Sequence, residues 1–133
     1  MKAKSGFTLV EILIVVVILG ILAAIVIPQF TEASTEARAS TLVSDLQTMR
    51  SQLELYKIQH RDTLPALATF TAQMTTYSDI DGNTNAAKTA VFKFGPYLQK
   101  IPTNPFNTAN TIAAAVPTAG SGTGWSYTAA SGA

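Results

Sequence analysis

Glu11 is an acid inside a run where water is scarce: from Phe7 to Ile27, 18 of 21 residues are apolar. An ionised carboxylate in such a setting costs several kcal/mol unless it lies near a membrane interface or meets a cation. The chemistry open to Glu11 is therefore charge pairing, or a weaker attraction to the dipole of a helix N-terminus. A second cluster is Asp79, Asp81, Asn83 and Asn85, oxygen-bearing side chains at alternate positions around Gly82. Calcium prefers such hard ligands, but an EF-hand loop would place its glycine sixth and end on a bidentate glutamate, and neither occurs. The competing reading is a hairpin turn at Asp81 and Gly82, with the asparagines tolerating left-handed geometry. His60 is the single histidine; at the end of a helix, a favourable dipole or plain exposure to solvent explains it better than catalysis.

No enzyme emerges from the remaining residues. There is no cysteine, so neither thiolate chemistry nor a Cys-ligated zinc module is available. Serines and aspartates occur without a nucleophile elbow, no glycine motif cradles phosphate, and Gly120 to Gly124 belongs to a low-complexity stretch. A net charge of +1 without a dense basic block gives no footprint for nucleic acid. At 133 residues, 47% of them hydrophobic, the chain has room for one small domain and one specialised segment.

That segment has to position Glu11. As a helix, Phe7 to Ile27 would span about 31 Å, close to the hydrocarbon thickness of a bilayer. Ile12 to Leu19 is apolar all round, which a soluble partner of about 100 residues could hardly cover. Lys2 and Lys4 precede the run, whereas Gln29, Thr31, Glu32 and Glu36 follow it before Arg38. The positive-inside bias then puts the N-terminus in the cytoplasm and the rest of the chain outside. A cleaved secretory signal shares the basic start, and small residues near Ala33 and Ser34 offer a site. Against it, the run exceeds the usual h-region of roughly 7 to 15 residues. It also holds a glutamate near its start and continues afterwards in helical rhythm.

Lys4, Ser5, Gly6, Phe7, Thr8, Leu9, Val10 and Glu11, followed by the apolar run and by Pro28, Gln29 and Phe30, resemble the prepilin motif of type IV pilins and type II secretion pseudopilins. The resemblance implies a leader, residues 1–6, which a prepilin peptidase removes by cutting after Gly6, and methylation of the new amine of Phe7. Cleavage would turn a neutral amide into a cation four residues before Glu11, and a carboxylate in an apolar medium gains greatly from such a partner. The pair could form within one helix; the resemblance favours the amine of a neighbouring subunit, so that Phe7 and Glu11 set the register of assembly. Gly20 and Pro28 punctuate the helix. Proline removes a hydrogen bond to the carbonyl of Ala24, so a kink or local opening is expected, and the resemblance implies that the span between them loosens on assembly.

Beyond Pro28 the pattern becomes one-sided. Leu42, Leu46, Met49, Leu53 and Tyr56 follow spacings of four, three, four and three, the stripe of an amphipathic helix. With no breaker between Phe30 and His60, one helix from about Thr8 to His60, bent at Pro28, is the simplest expectation. Leu55 and Ile58 fall on its opposite side and could touch a neighbouring subunit. After Arg61 to Pro65 the chain should run as loops and short strands, with Ala90 to Phe94, Ile112 to Val116 and Gly124 to Thr128 as candidates. Trp125 and Tyr127 share a face.

The expected fold is thus α+β, a long bent N-terminal helix packed on a small antiparallel sheet. Its parts are a leader (1–6), a transmembrane and filament-core helix (7–29) and a globular head (30–133) that includes the amphipathic helix (30–60). Gly95, Pro96, Tyr97, Leu98, Ile101, Pro102, Asn104, Pro105, Phe106 and Asn107 are similar to a loop of major pseudopilins. That family more often has Asp, Pro, Trp, Gly where this chain has Asn104 to Asn107. Its usual acidic calcium-binding loop near the C-terminus has no counterpart in Thr108 to Gly124.

These expectations describe a structural subunit of a type II secretion pseudopilus or type IV pilus, polymerising through its hydrophobic helix. Its contacts would be heterologous and non-closing, the geometry of filaments. The absence of the cysteine pair carried by many type IV pilins favours the pseudopilus. No cofactor is expected, calcium at Asp79, Asp81, Asn83 and Asn85 being the one candidate. Implied partners are further copies of the chain, the prepilin peptidase, the inner-membrane assembly machinery, minor pseudopilins and the membrane itself. The implied location is the bacterial inner membrane, in single pass, and then a periplasmic pseudopilus or cell-surface pilus. The rival class is a membrane-anchored binding module that never polymerises.

Overall fold

The computed structural model describes residues 6–118 and 120–129; the leader residues Met1 to Ser5, with Lys2 and Lys4, lie outside them. The chain divides into two compact units, Met1–Ala37 and Arg38–Ala133. Helix α1 covers Leu9–Gln59, and its helical assignment continues through Gly20 and Pro28.

In the first unit every described residue is exposed. Its apolar run offers Leu13, Val16, Leu19 and Ile21 to the surroundings at half or more of their area, and this segment is long and apolar enough to cross a membrane. With no polar face and no cover, such a helix is stable only in lipid or against other helices.

The second unit holds the core. Met49 and Tyr56 on α1 are buried, and Leu42, Leu46 and Leu53 pack beside them. The one-sided spacing thus describes what is covered, while Leu55 and Ile58 are exposed on the other side. Helix α1 ends at Gln59 because Arg61 and Asp62 turn left-handed (φ 52° and 64°), and the Asp62 N–H returns to the Lys57 carbonyl at 2.9 Å, a Schellman-type closure.

The chain beyond Pro65 is more helical than its composition suggests. A 3-10 turn, Leu67–Thr69, leads into α2, Phe70–Thr75, which buries Phe70, Gln73 and Met74, positions spaced three and four apart. Gln73 ties three segments together: its Oε1 accepts from the Ala66 N–H (2.9 Å) and its Nε2 donates to the Gly82 carbonyl (2.8 Å). Strands β1 (Tyr77–Ser78) and β2 (Thr84–Asn85) form an antiparallel hairpin. Strands β3 (Ile112–Ala113) and β4 (Trp125–Ser126) pair in parallel, Ile112 with Trp125.

Two expectations are corrected here. The last pair is parallel, Ile112 with Trp125 and Ala113 with Ser126, against the antiparallel arrangement expected above. Ala90 to Phe94 is also not a strand. Only Phe94 pairs, through two bonds with Ser78 (2.9 and 3.1 Å), and residues 89–92 close on themselves in a turn. Gly95 (φ 78°) then redirects the chain, with the Thr76 carbonyl so close that a Cβ there would stand 2.6 Å from it.

Trp125 and Tyr127 do share a buried face. The Trp125 Nε1–H donates to the Pro102 carbonyl and the Tyr127 hydroxyl to the Pro65 carbonyl, both at 2.8 Å. Burial, and then the phenols of Tyr97 and Tyr127 and the carboxylate of Asp79, push Tyr56 up to about 12. Burial likewise raises Tyr97 and Tyr127.

In the unfolded chain a phenol ionises near 10. Between pH about 10 and about 12 the unfolded state therefore releases a proton that folded Tyr56 retains. Stability from this residue is fully present below that window and is lost across it as the pH rises. Near-ultraviolet circular dichroism should show alkaline loss of tertiary structure in that window, and Tyr56→Phe should make the pH dependence shallower.

Candidate functional site

Gly6 and Phe7 are exposed and lie outside the helix, which begins at Leu9. No other part of the described chain approaches Gly6 within 4 Å of where a Cβ would be, so the Gly6–Phe7 peptide is sterically open. The helix start is built by Thr8 and Glu11. The Thr8 N–H and hydroxyl both donate to Glu11 Oε2 at 2.8 Å, and the Glu11 N–H donates back to the Thr8 hydroxyl at 3.2 Å. This reciprocal arrangement is a capping box. Thr8 was not singled out from the sequence, although a threonine three residues ahead of a glutamate before an apolar run is its signature. Both bonds of the cap go to one carboxylate oxygen, Oε2.

The four residues around Gly82 form a hairpin loop rather than a cation cage. Asp79 Oδ1 accepts from the N–H groups of Asp81 and Asn83 at 2.9 Å each, and its Oδ2 accepts from the Asn83 side chain at 2.8 Å. The Asn83 side chain holds the Asp79 carboxyl below the usual carboxylate range; burial opposes it, and the backbone N–H groups of Asn83, Asp81 and Gly82 add to the lowering. Asp81 Oδ1 faces the Arg61 guanidinium at 3.0 Å, and Asn85 Oδ1 accepts from the Ala87 N–H at 2.9 Å. Both Asp79 oxygens, Asp81 Oδ1 and Asn85 Oδ1 thus face donors of this chain. Among the described residues no group of three or more His, Cys, Asp or Glu side chains could hold a metal ion.

His60 is buried, which corrects the expectation of solvent exposure. Its ring stacks on Tyr56 with centroids 3.7 Å apart, Nδ1 lies 2.8 Å from the Tyr56 carbonyl and Nε2 lies 3.0 Å from the Ser78 hydroxyl. Both ring nitrogens are engaged with the scaffold, so the side chain ties α1 to β1.

The chemistry of this chain is therefore concentrated at its N-terminal segment. The family model described as "Prokaryotic N-terminal methylation motif" matches residues 1–27, the stretch containing Gly6, Phe7 and Glu11. The chain is 42% identical over 59 residues to type II secretion system core protein G of Pseudomonas aeruginosa, covering 44% of this chain and 42% of that protein. Against the core protein G of Aeromonas hydrophila the identity is 30% over 109 residues, covering 79% of this chain and 69% of the relative. The chain belongs to the type IV pilin and type II secretion pseudopilin family. A fimbrial protein of Pseudomonas aeruginosa is 44% identical over 54 residues, 41% of this chain and 35% of the relative. The chain thus spans under half the length of the Pseudomonas relatives. No solved structure matches it significantly. As a member of this family it is a pilin-like structural subunit, not an enzyme, and the long apolar helix with a small sheet beyond it is the α+β arrangement expected above.

Proposed function

We propose that this chain is the polymerising subunit of a type II secretion pseudopilus. The observation that carries the reading is the extent of the likeness to the Aeromonas core protein G, which runs over 109 residues and so reaches well past the helix. The fimbrial likeness stops at 54 residues.

In this reading the leader, residues 1–6, is cut after Gly6 by the prepilin peptidase and the Phe7 amine is methylated, which leaves its charge in place. The exposed Gly6–Phe7 peptide lies outside the helix and is therefore accessible to a peptidase. Residues 7–29 hold the subunit in the bacterial inner membrane with its N-terminus in the cytoplasm, and residues 30–133 lie outside as the head. On assembly the same apolar surface is covered by other copies of the helix.

The capping box holds Glu11 Oε2, and the same carboxylate accepts the Phe7 amine of a neighbouring subunit and so fixes the axial step. Pro28 leaves the Ala24 carbonyl without its helical donor, and with Gly20 it marks the span that loosens as the helix packs. The inner-membrane assembly machinery and minor pseudopilins are the partners, and the filament stands in the periplasm.

The test is the intact mass of the protein taken from its native membrane. The expected mass lacks Met1 to Gly6 and carries one added methylene. An uncut chain overturns the reading and leaves an ordinary anchor, and a cut near Ala33 makes the chain a secreted protein. Electron microscopy of the processed subunit then separates a periplasmic filament from a surface pilus.

A further inference from the structure

The family resemblance implies one metal, calcium in an acidic loop near the C-terminus, and the donor set of this chain does not fit it. From Thr108 to Gly124 there is no aspartate or glutamate, and calcium sites are built on carboxylates. Two carboxamides close the same stretch. Asn104 is 8% exposed; its Nδ2 donates to the Gly124 carbonyl at 2.8 Å and its Oδ1 accepts from the Phe106 N–H at 2.9 Å. Its backbone is engaged too, its N–H with the Ala109 carbonyl and its carbonyl with the Thr108 N–H, both at 2.8 Å. Asn107 repeats the arrangement, donating from Nδ2 to the Thr123 carbonyl at 2.7 Å and accepting at Oδ1 from the Ala109 N–H at 3.1 Å.

The chemical distinction lies in what faces a backbone carbonyl. A carboxylate opposite a carbonyl oxygen is repelled and needs a cation between them, whereas a carboxamide carries its own donor and needs none. Each asparagine accepts from an N–H two residues on and donates to a carbonyl just before β4. Gly124 permits the approach, since a Cβ there would collide with the Ala109 carbonyl. The next residue, Trp125, is then delivered into the core.

We infer that Asn104 and Asn107 form an amide clamp that ties residues 104–109 to residues 123–124 without a cation, so that the stability of the second unit does not depend on calcium. Trp125 is the single tryptophan, sits at the closing point and is 5% exposed, which makes its emission a direct report on the clamp.

The experiment is thermal unfolding of the full chain in detergent micelles, followed by Trp125 emission, in excess chelator and in millimolar calcium. The expected midpoint is the same in both. Asn104→Ala should lower it by about 5–15 °C in either condition, through a buried carbonyl and N–H left without partners. Should that variant not fold, Asn107→Ala, at the less buried site, is read in the same way. Replacing both asparagines by aspartate should lower the midpoint in chelator and make it rise when calcium is added. A fall of several degrees for the unaltered chain in chelator would overturn the inference, as would an Asn104→Ala midpoint that does not move.

Discussion

Glu11→Ala is expected to leave the chain in the membrane and to abolish its filaments. Insertion should improve, because the substitution removes a carboxylate whose burial in a helix is unfavourable. Assembly should fail, because the Phe7 amine of the neighbouring subunit would enter an apolar core with nothing to neutralise it. Breaking one partner of a buried ion pair costs roughly 3–5 kcal/mol, which is about a hundredfold or more per contact, and a filament repeats that contact at every subunit.

The capping box supplies the control. Glu11 also satisfies the Thr8 N–H and hydroxyl, so part of any effect belongs to the helix start. Thr8→Val removes that hydroxyl but keeps the carboxylate, and loss of a cap is worth about 1 kcal/mol. Filament yield measured by electron microscopy, with membrane content measured by fractionation, should therefore fall far more for Glu11→Ala than for Thr8→Val. Equal losses would assign Glu11 to capping alone, and undiminished filaments in Glu11→Ala would remove the register role.

Tyr56→Ala carries the largest expected effect on stability. Tyr56 is 1% exposed. It lies under the His60 ring, and the Tyr97 ring meets it edge-on with centroids 5.3 Å apart. Truncation leaves a cavity at the point where α1, β1 and the 94–98 segment meet, and it strips His60 of its stacking partner. Large aromatic-to-alanine changes in cores cost about 3–5 kcal/mol, a large share of the roughly 5–15 kcal/mol that domains possess. Thermal unfolding of the full chain in micelles should show a midpoint lowered by at least about 15 °C. Tyr56→Phe keeps the ring and should stay within about 1 kcal/mol of the unaltered chain at neutral pH. If the phenylalanine variant were as damaged as the alanine variant, the hydroxyl and not the packing would be the source of the stability.

Much of this protein is legible in one dimension, because its strongest signals are local. The apolar run is recognisable from its length and composition alone, and the residues from Lys4 to Glu11 carry the resemblance that the comparisons bear out. The stripe from Leu42 to Tyr56 follows from the helical repeat, and Trp125 and Tyr127 follow from the strand repeat. Even the overlooked elements left marks: Thr8 stands three residues before Glu11, and Phe70, Gln73 and Met74 keep helical spacing.

Tertiary structure decided the rest. A strand's own residues do not say in which direction its neighbour runs, so the parallel sense of β3 and β4 and the lone pairing of Phe94 are set by the tertiary structure. His60 is polar and stands at a helix end, yet it is buried because Ser78, eighteen positions away, meets its far nitrogen. Asp79 is met by the N–H groups of its own hairpin, whereas the partner of Asp81 is Arg61, twenty positions away. Asn104 and Asn107 find their carbonyl partners at Gly124 and Thr123, twenty and sixteen positions away. Periodicity fixes which face of an element is buried, whereas the partner of a polar group is set by residues distant in sequence and brought close only by packing.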